Sequence, residues 1–183
     1  YPADKVWVSN PSDAKLEKMK SELGVNTSND NLEVVEKADA IVLAVKPQLM
    51  SEVCTHLREN VSNLSDKLII TIAAGIRIPK YREYLGERIR IIRVMPNTPS
   101  LVGQGMSGLV TDDSVDQADK DFVTEAFNGV GETLWVSDED QLDILGAVAG
   151  SGPAYFFEFM DSLAKAATAL GFDAAKAREM GQQ

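Results

Sequence analysis

An α/β chain is what this sequence predicts: a doubly wound parallel sheet followed by helices alone. From Lys5 to about Val136, short apolar runs alternate with amphipathic stretches of helical period. That is the rhythm of strand-helix-strand units around a parallel sheet. After Val136 the strands cease, and Asp138 to Gln183 offers helical patterns only.

The elements follow in order. Lys5 to Val8 reads as a strand, and Pro11, Ser12 and Asp13 open a helix whose apolar positions Leu16, Met19 and Leu23 recur at helical spacing, with Gly24 as its stop. A short strand near Val25 and a helix from about Asn29 to Lys37 come next. Ala40 to Val45 is apolar at every residue, as a strand covered on both faces requires. Lys46-Pro47 ends it, and a helix carrying Leu49, Val53 and Leu57 leads to a second buried strand, Leu68 to Ile72. The pattern repeats with a helix from Ile78 to Leu85, a strand from Ile89 to Val94 and a turn-rich stretch, Met95-Pro96-Asn97-Thr98-Pro99. A strand around Met106 to Val110 follows. Then come a helix from Ser114 to Phe127 with Val115, Ala118, Phe122 and Ala126 on one face, and a strand at Thr133 to Val136. In the last segment, Ala154 to Leu170 is apolar around most of a helix, which calls for burial on several sides. Too little chain surrounds it, so a subunit interface is expected there.

Composition narrows the function. The chain has 183 residues, 44% hydrophobic and 25% charged, enough to bury a sizeable core. Its longest apolar runs fall far short of the roughly 20 residues that span a bilayer, and no basic-then-apolar leader opens it. The expectation is a cytoplasmic protein with no membrane segment. Cys54 stands alone and cannot form an internal disulfide, and with the single His56 it cannot make a zinc site, so no metal is expected. A net charge of −10 without a basic cluster argues against nucleic acid. The expected partner is a small molecule.

In a dinucleotide-binding sheet the ligand lies across the carboxyl ends of the strands. After the first strand, Ser9 and Asn10 stand where an NAD-preferring protein places an acidic side chain against the ribose 2′-hydroxyl. Neutral hydrogen-bonding residues there favour NADP, whose 2′-phosphate a helix N-terminus can hold; the same residues can equally cap the helix. At the next end, Ala44-Val45-Lys46-Pro47, small residues admit a cofactor to the backbone, while Lys46 is either a cation for phosphate or ribose or simply a solvated strand end. Ile72-Ala73-Ala74-Gly75 repeats the small-residue ending. Asn97 and Thr98 bring an amide and a hydroxyl to a fixed turn, to orient a ring carboxamide or a substrate, unless Asn97 bonds its own backbone. Gly150-Ser151-Gly152-Pro153-Ala154-Tyr155 opens the apolar helix, with Ser151 as N-cap and glycines that allow close approach. No phosphate-cradling Walker loop, nucleophile elbow or metal spacing occurs, and Cys54 and His56 fall on different helix faces. A cofactor must therefore carry the chemistry.

Taken together, Ala44-Val45-Lys46-Pro47-Gln48, Ala73-Ala74-Gly75-Ile76, Arg93 to Pro99 and Gly150 to Tyr155 closely resemble, in this order and spacing, the pyrroline-5-carboxylate reductases. The likeness runs the whole length. It implies a Rossmann-type NADP-binding domain, first strand missing, over 1–136, and an all-helical dimerisation and substrate domain beginning at 137–183. By the resemblance Asn10 contacts the 2′-phosphate, Asn31 lies near the adenosine, and Ala44 to Pro47 with Ile72, Ala73 and Ala74 line the dinucleotide. Asn97 and Thr98 approach the nicotinamide, and Glu139 and Ser151 fall on the substrate side; Glu139 reads equally well as an acid favoured at a helix N-terminus. The implied reaction is hydride transfer from NADPH to the C=N bond of 1-pyrroline-5-carboxylate, giving L-proline, in a homodimer built through the C-terminal helices or a higher oligomer.

Two departures qualify the likeness. The family begins with a strand and a G-x-G-x-x-G loop, whereas Tyr1 falls just before what corresponds to its second strand. The family also ends with further helices and a Ser-Pro-Gly-Gly loop that lies beyond Gln183. The expectation is a fragment, or an incomplete reading of the gene, that would not turn over unaided. Alternatives are a related NADP-dependent imine or β-hydroxyacid reductase, the latter favoured by a catalytic lysine in the long helix, where Lys165 stands, or a noncatalytic nucleotide-binding derivative.

Overall fold

In the computed structural model, which describes residues 1–183, β1 (Trp7–Ser9) leads into α1 (Asp13–Leu23) and β2 (Asn26–Ser28) into α2 (Asn31–Lys37). The alternation continues through β3 (Ala40–Leu43), α3 (Pro47–Asn60), β4 (Leu68–Thr71), α4 (Ile78–Leu85) and β5 (Arg90–Met95). Then come β6 (Gly105–Thr111), α5 (Gln117–Asn128) and β7 (Gly131–Trp135). Beyond Trp135 the chain is helical: α6 (Glu139–Leu145), a π-helical turn over Gly146–Gly150, α7 (Gly152–Ala169) and α8 (Ala174–Gln182).

β1 and β2 form a parallel pair, and β3 to β7 form a five-stranded sheet in chain order. One pairing departs from the expected parallel sheet: β6 runs antiparallel to β5, with Ile92 opposite Thr111 and Met95 opposite Gly108. The cause is the connection. Between β5 and β6 there is only a 3₁₀ turn, Thr98–Val102, and without a crossover helix the chain returns in the opposite direction. No ladder joins the β1–β2 pair to the larger sheet, so β1 and β3 each keep an unpaired edge. The usual dinucleotide-binding order has one strand between these two positions. Helix α2 packs on both small strands and touches α3, which holds the pair to the rest.

Side-chain alternation along the strands divides the core into two layers. On one face Ile41, Leu43, Ile69 and Ile91 meet Met50, Cys54 and Leu57 of α3 and Ile78, Tyr81 and Leu85 of α4. On the other, Leu68, Ile70, Ile92, Val94 and Leu109 meet Val115 and Val123. Each fully buried aliphatic side chain contributes about 1.5–3 kcal/mol, so these layers fix the sheet that presents the strand ends.

Three expectations about burial are corrected. β3 is not covered on both faces: Val42 is 52% exposed, because it points to the second face at the edge of the five-stranded sheet. On α3 the buried stripe is Met50, Cys54 and Leu57, while Leu49 lies outside it and is exposed. Helix α5 begins at Gln117, capped by the Asp116 carboxylate accepting from the Asp119 amide, and buries Val123, while Ala118, Phe122 and Ala126 are exposed. Phe122 instead meets the Tyr1 ring edge-on, with centroids 6.2 Å apart.

The helical segment behaves differently. Helix α7 packs against α8 yet has no buried residue. Phe156 is 70% and Phe159 62% exposed, and Leu163 and Leu170 continue the same stripe. No helix is long and apolar enough to cross a membrane.

Candidate functional site

Parallel strands bring their carboxyl ends to one edge, and the loops there carry most of the residues singled out in the sequence. At the end of β1, register with β2 sets Ser9 beside Ser28, and the Ser9 hydroxyl donates to Asn31 Oδ1 at 2.6 Å. Asn10 Oδ1 accepts from the Ser12 amide at 3.0 Å, and its carbonyl accepts from Asn29 Nδ2 at 3.2 Å. Asn10 thus organises the turn into α1 rather than occupying the N-cap position, which falls to Ser12, whose side chain makes no cap bond. The Asn10 side-chain nitrogen and the Ser12 hydroxyl stay open beside the first-turn amides of α1. The carboxylate of Asp13, the first residue of α1, is engaged by Asn29 Nδ2 at 2.8 Å. Uncommitted donors at a helix N-terminus, with no acid at the strand end, suit a phosphate monoester.

At the next ends Ala44 and Lys46 are exposed, Val45 packs on the core and Pro47 begins α3. Lys46 has no ion-pair partner. After β4 the Ala73 amide donates to Thr71 Oγ1 at 3.3 Å, and Thr71 Oγ1 lies 2.6 Å from the Tyr81 hydroxyl. Burial pushes the Tyr81 phenol above its ordinary pKa, so it stays protonated and available to this pair. Ile72 and Ala73 are thereby held from below while Ala74 is exposed. Gly75 follows with φ +78°, which a side chain would resist. Two neighbouring strand ends therefore offer main chain with little side-chain cover.

Asn97 differs from expectation. Its side-chain nitrogen donates to the Ala149 carbonyl at 2.9 Å, and its Oδ1 accepts from the Met106 amide at 2.9 Å. Both ends of the amide are committed, neither to its own backbone nor to open space. Thr98, beside it, is exposed. Ser151 is exposed too, but it has helical dihedrals and makes no cap bond, because the π-helical turn runs straight into α7.

Glu139 is likewise committed. It accepts from the Ile78 amide at 2.9 Å and pairs with Arg93, whose side chain is 1% exposed on β5. Arg77 joins α4 to α6 through Asp140 at 2.5 Å and Asp143 at 2.8 Å. Those two carboxylates, Asp140 foremost, raise the guanidinium pKa. Sequence reading missed this network. Its one signal is Arg93 inside the apolar run Ile91 to Met95, on the same face as Ile91, where a buried cation requires a carboxylate. α6 lies close on the sheet because Gly108 leaves room: a Cβ there would come within 2.8 Å of Leu142. A groove of about 620 Å³ lies along this network, and Arg77, Arg82, Asp112 and Glu139 on its wall are each engaged in ion pairs.

Cys54 and His56 do not meet: the thiol is buried and pushed up to about 12, while the imidazole is exposed. Lys165 is an exposed helix-surface residue paired with Asp161 at 2.6 Å.

Residues 3–75 match the family described as NADP oxidoreductase coenzyme F420-dependent, and residues 139–183 match pyrroline-5-carboxylate reductase dimerisation. The pyrroline-5-carboxylate reductase of Pasteurella multocida is 41% identical over 187 aligned positions, covering all of this chain and 67% of the relative. The chain belongs to the pyrroline-5-carboxylate reductase family. A solved family member from Coxiella burnetii superposes with a TM-score of 0.90 at 39% identity, over all of this chain and 67% of that one. The Plasmodium falciparum enzyme, solved with NADP bound, gives 0.86 at 32% identity, over 100% of this chain and 65% of that one. The chain spans about two thirds of the length of the curated family members it matches, 66% for that of Vibrio alginolyticus. Within the family framework the strand-end residues come from the doubly wound part, and Glu139 and Ser151 from the region matched to dimerisation.

Proposed function

We propose that this protein works as a pyrroline-5-carboxylate reductase, reducing the C=N bond of 1-pyrroline-5-carboxylate to L-proline with NADPH. One observation carries the reading: the β3 and β4 ends are nearly bare of side chains, beside a β1 end with open donors and no acid. In this reading residues 1–136 hold the dinucleotide. Ser9, Asn10 and Asn31 take the adenosine phosphate end, and Ala44, Val45, Lys46, Pro47, Ile72, Ala73 and Ala74 line the rest. Residues 137–183 begin the helical domain, with Glu139 and Ser151 on the substrate side. The compartment is the cytoplasm.

NADPH, when bound, supplies the hydride. The chain's own work is to hold the partners still and to keep water from the reacting face. The main chain at Ala73, fixed from beneath by Thr71 and Tyr81, and exposed Ala74 after it give a support for the dinucleotide, and Thr98 offers a hydroxyl at the neighbouring edge. An imine protonated on nitrogen is already electrophilic, so no strong acid is required of the protein. With NADPH carrying deuterium at its transferable position, the intact protein should place one deuterium on the ring carbon of the proline formed. Unlabelled proline, or no proline, would refute the reading.

The homodimer is part of the same proposal. Phe156, Phe159 and Leu163 form an apolar stripe on α7, continued by Leu170 at its C-cap, at the spacing of a helix seam. Phe159→Glu would bury a charge in that seam and should weaken association by more than about a hundredfold, read by sedimentation across a concentration series. Unchanged association would show that the subunits meet elsewhere.

A further inference from the structure

The amide of Asn97 completes two broken backbone patterns at once. The first is the β5–β6 ladder. Met95 lies opposite Gly108, so the antiparallel register would set residue 97 opposite residue 106. Pro96 turns the chain away there, and the Asn97 side chain takes over by accepting from the Met106 amide at 2.9 Å. The second is the helix that starts α7. In a regular helix the Ala149 carbonyl would accept from the amide four residues on, but that residue is Pro153, which has no N–H. The Ala154 amide, one further, goes to the Ser151 carbonyl at 3.1 Å. Asn97 Nδ2 supplies the donor instead, at 2.9 Å.

We infer that Asn97 is a positioning residue: it latches the π-helical turn, and with it Ser151 and Gly152, over the carboxyl edge of the sheet by serving the carbonyl that Pro153 leaves without a partner. Glycine at 146 lets the turn sit against Met95, where a Cβ would come within 3.2 Å of the Met95 methyl carbon, so turn and strand end already touch at a second point. The inference rests on the proposed reduction for its functional meaning. It replaces direct contact between Asn97 and the nicotinamide with a role in setting the spacing between the strand ends and the start of α7. The ligands that depend on it are those held between the two, the dinucleotide's reactive end on one side and a small carboxylated imine on the other.

Pro153 makes this testable, because changing it restores the missing backbone donor. In the intact protein without ligand, Asn97→Ala should raise hydrogen exchange over residues 146–154 at least about tenfold. It should lower kcat with the imine by about tenfold to a hundredfold, leaving the dissociation constant for NADPH within about threefold. Pro153→Ala alone should be nearly silent, and Asn97→Ala with Pro153→Ala should recover most of the lost protection and turnover. Asn97→Asp, which keeps the acceptor for Met106 but loses the donor, should resemble Asn97→Ala in exchange at 146–154. If the second change rescues neither exchange nor turnover, or if Asn97→Ala chiefly weakens NADPH binding, the latch is wrong. If the unaltered protein does not reduce pyrroline-5-carboxylate, the proposed function fails while the exchange result still judges the latch.

Discussion

Glu139→Ala should destabilise the protein by about 3 kcal/mol or more, among the largest single effects the fold allows. Arg93 sits on β5 with its side chain 1% exposed, and Glu139 is its close partner. The remaining acid, Asp143, is 3.7 Å away and already binds Arg77 at 2.8 Å, so it cannot fully substitute. One guanidinium nitrogen of Arg93 lacks a hydrogen bond even in the native fold. Removing Glu139 therefore strands a buried cation and also frees the Ile78 amide at the start of α4. Arg93→Met with Glu139→Gln, which removes charge and counter-charge together, should lie closer to the unaltered protein than Glu139→Ala does. Urea unfolding at constant m-value measures both. A loss below about 1 kcal/mol for Glu139→Ala would mean that the pair contributes no more than an exposed one.

Asn10→Asp should separate the two pyridine nucleotides. Aspartate keeps an oxygen to accept from the Ser12 amide, so the turn at the end of β1 is preserved. What changes is charge. A carboxylate a few ångströms from a 2′-phosphate at the protein surface costs roughly 1–4 kcal/mol, so NADPH affinity should fall by about fivefold to several-hundredfold. NADH lacks that phosphate, and its affinity should move less than about threefold. Equal losses for both would place Asn10 away from the phosphate.

The sequence disclosed those parts of the fold that depend on neighbours along the chain. Helix α4 occupies Ile78–Leu85 as its spacing predicts, and β4, apolar from Leu68 to Ile70, is buried at every position. What escaped notice depends on partners far apart in the chain. The reversal of β6 follows from a connection too short for a crossover helix, which the turn-rich stretch after Val94 encodes. The exposure of Val42 reflects the position of β3 at a sheet edge, which periodicity does not report. The same limit hid much of the candidate site. Arg93 and Glu139 are separated by 46 positions, and Asn97 and Ala149 by 52. No local pattern joins them, yet an arginine flanked by apolar residues in mid-strand and a proline four residues after a carbonyl each announce an unmet requirement. The strand-end residues were legible because small side chains at successive strand termini are a local signal.

Titration of the intact protein with NADPH and with NADH, followed by nicotinamide fluorescence, tests the central claim most directly. Binding at these strand ends, with open donors and no acid at the β1 terminus, predicts saturable binding of both, NADPH at least about tenfold tighter. Failure to bind either nucleotide, or tighter binding of NADH, would contradict it.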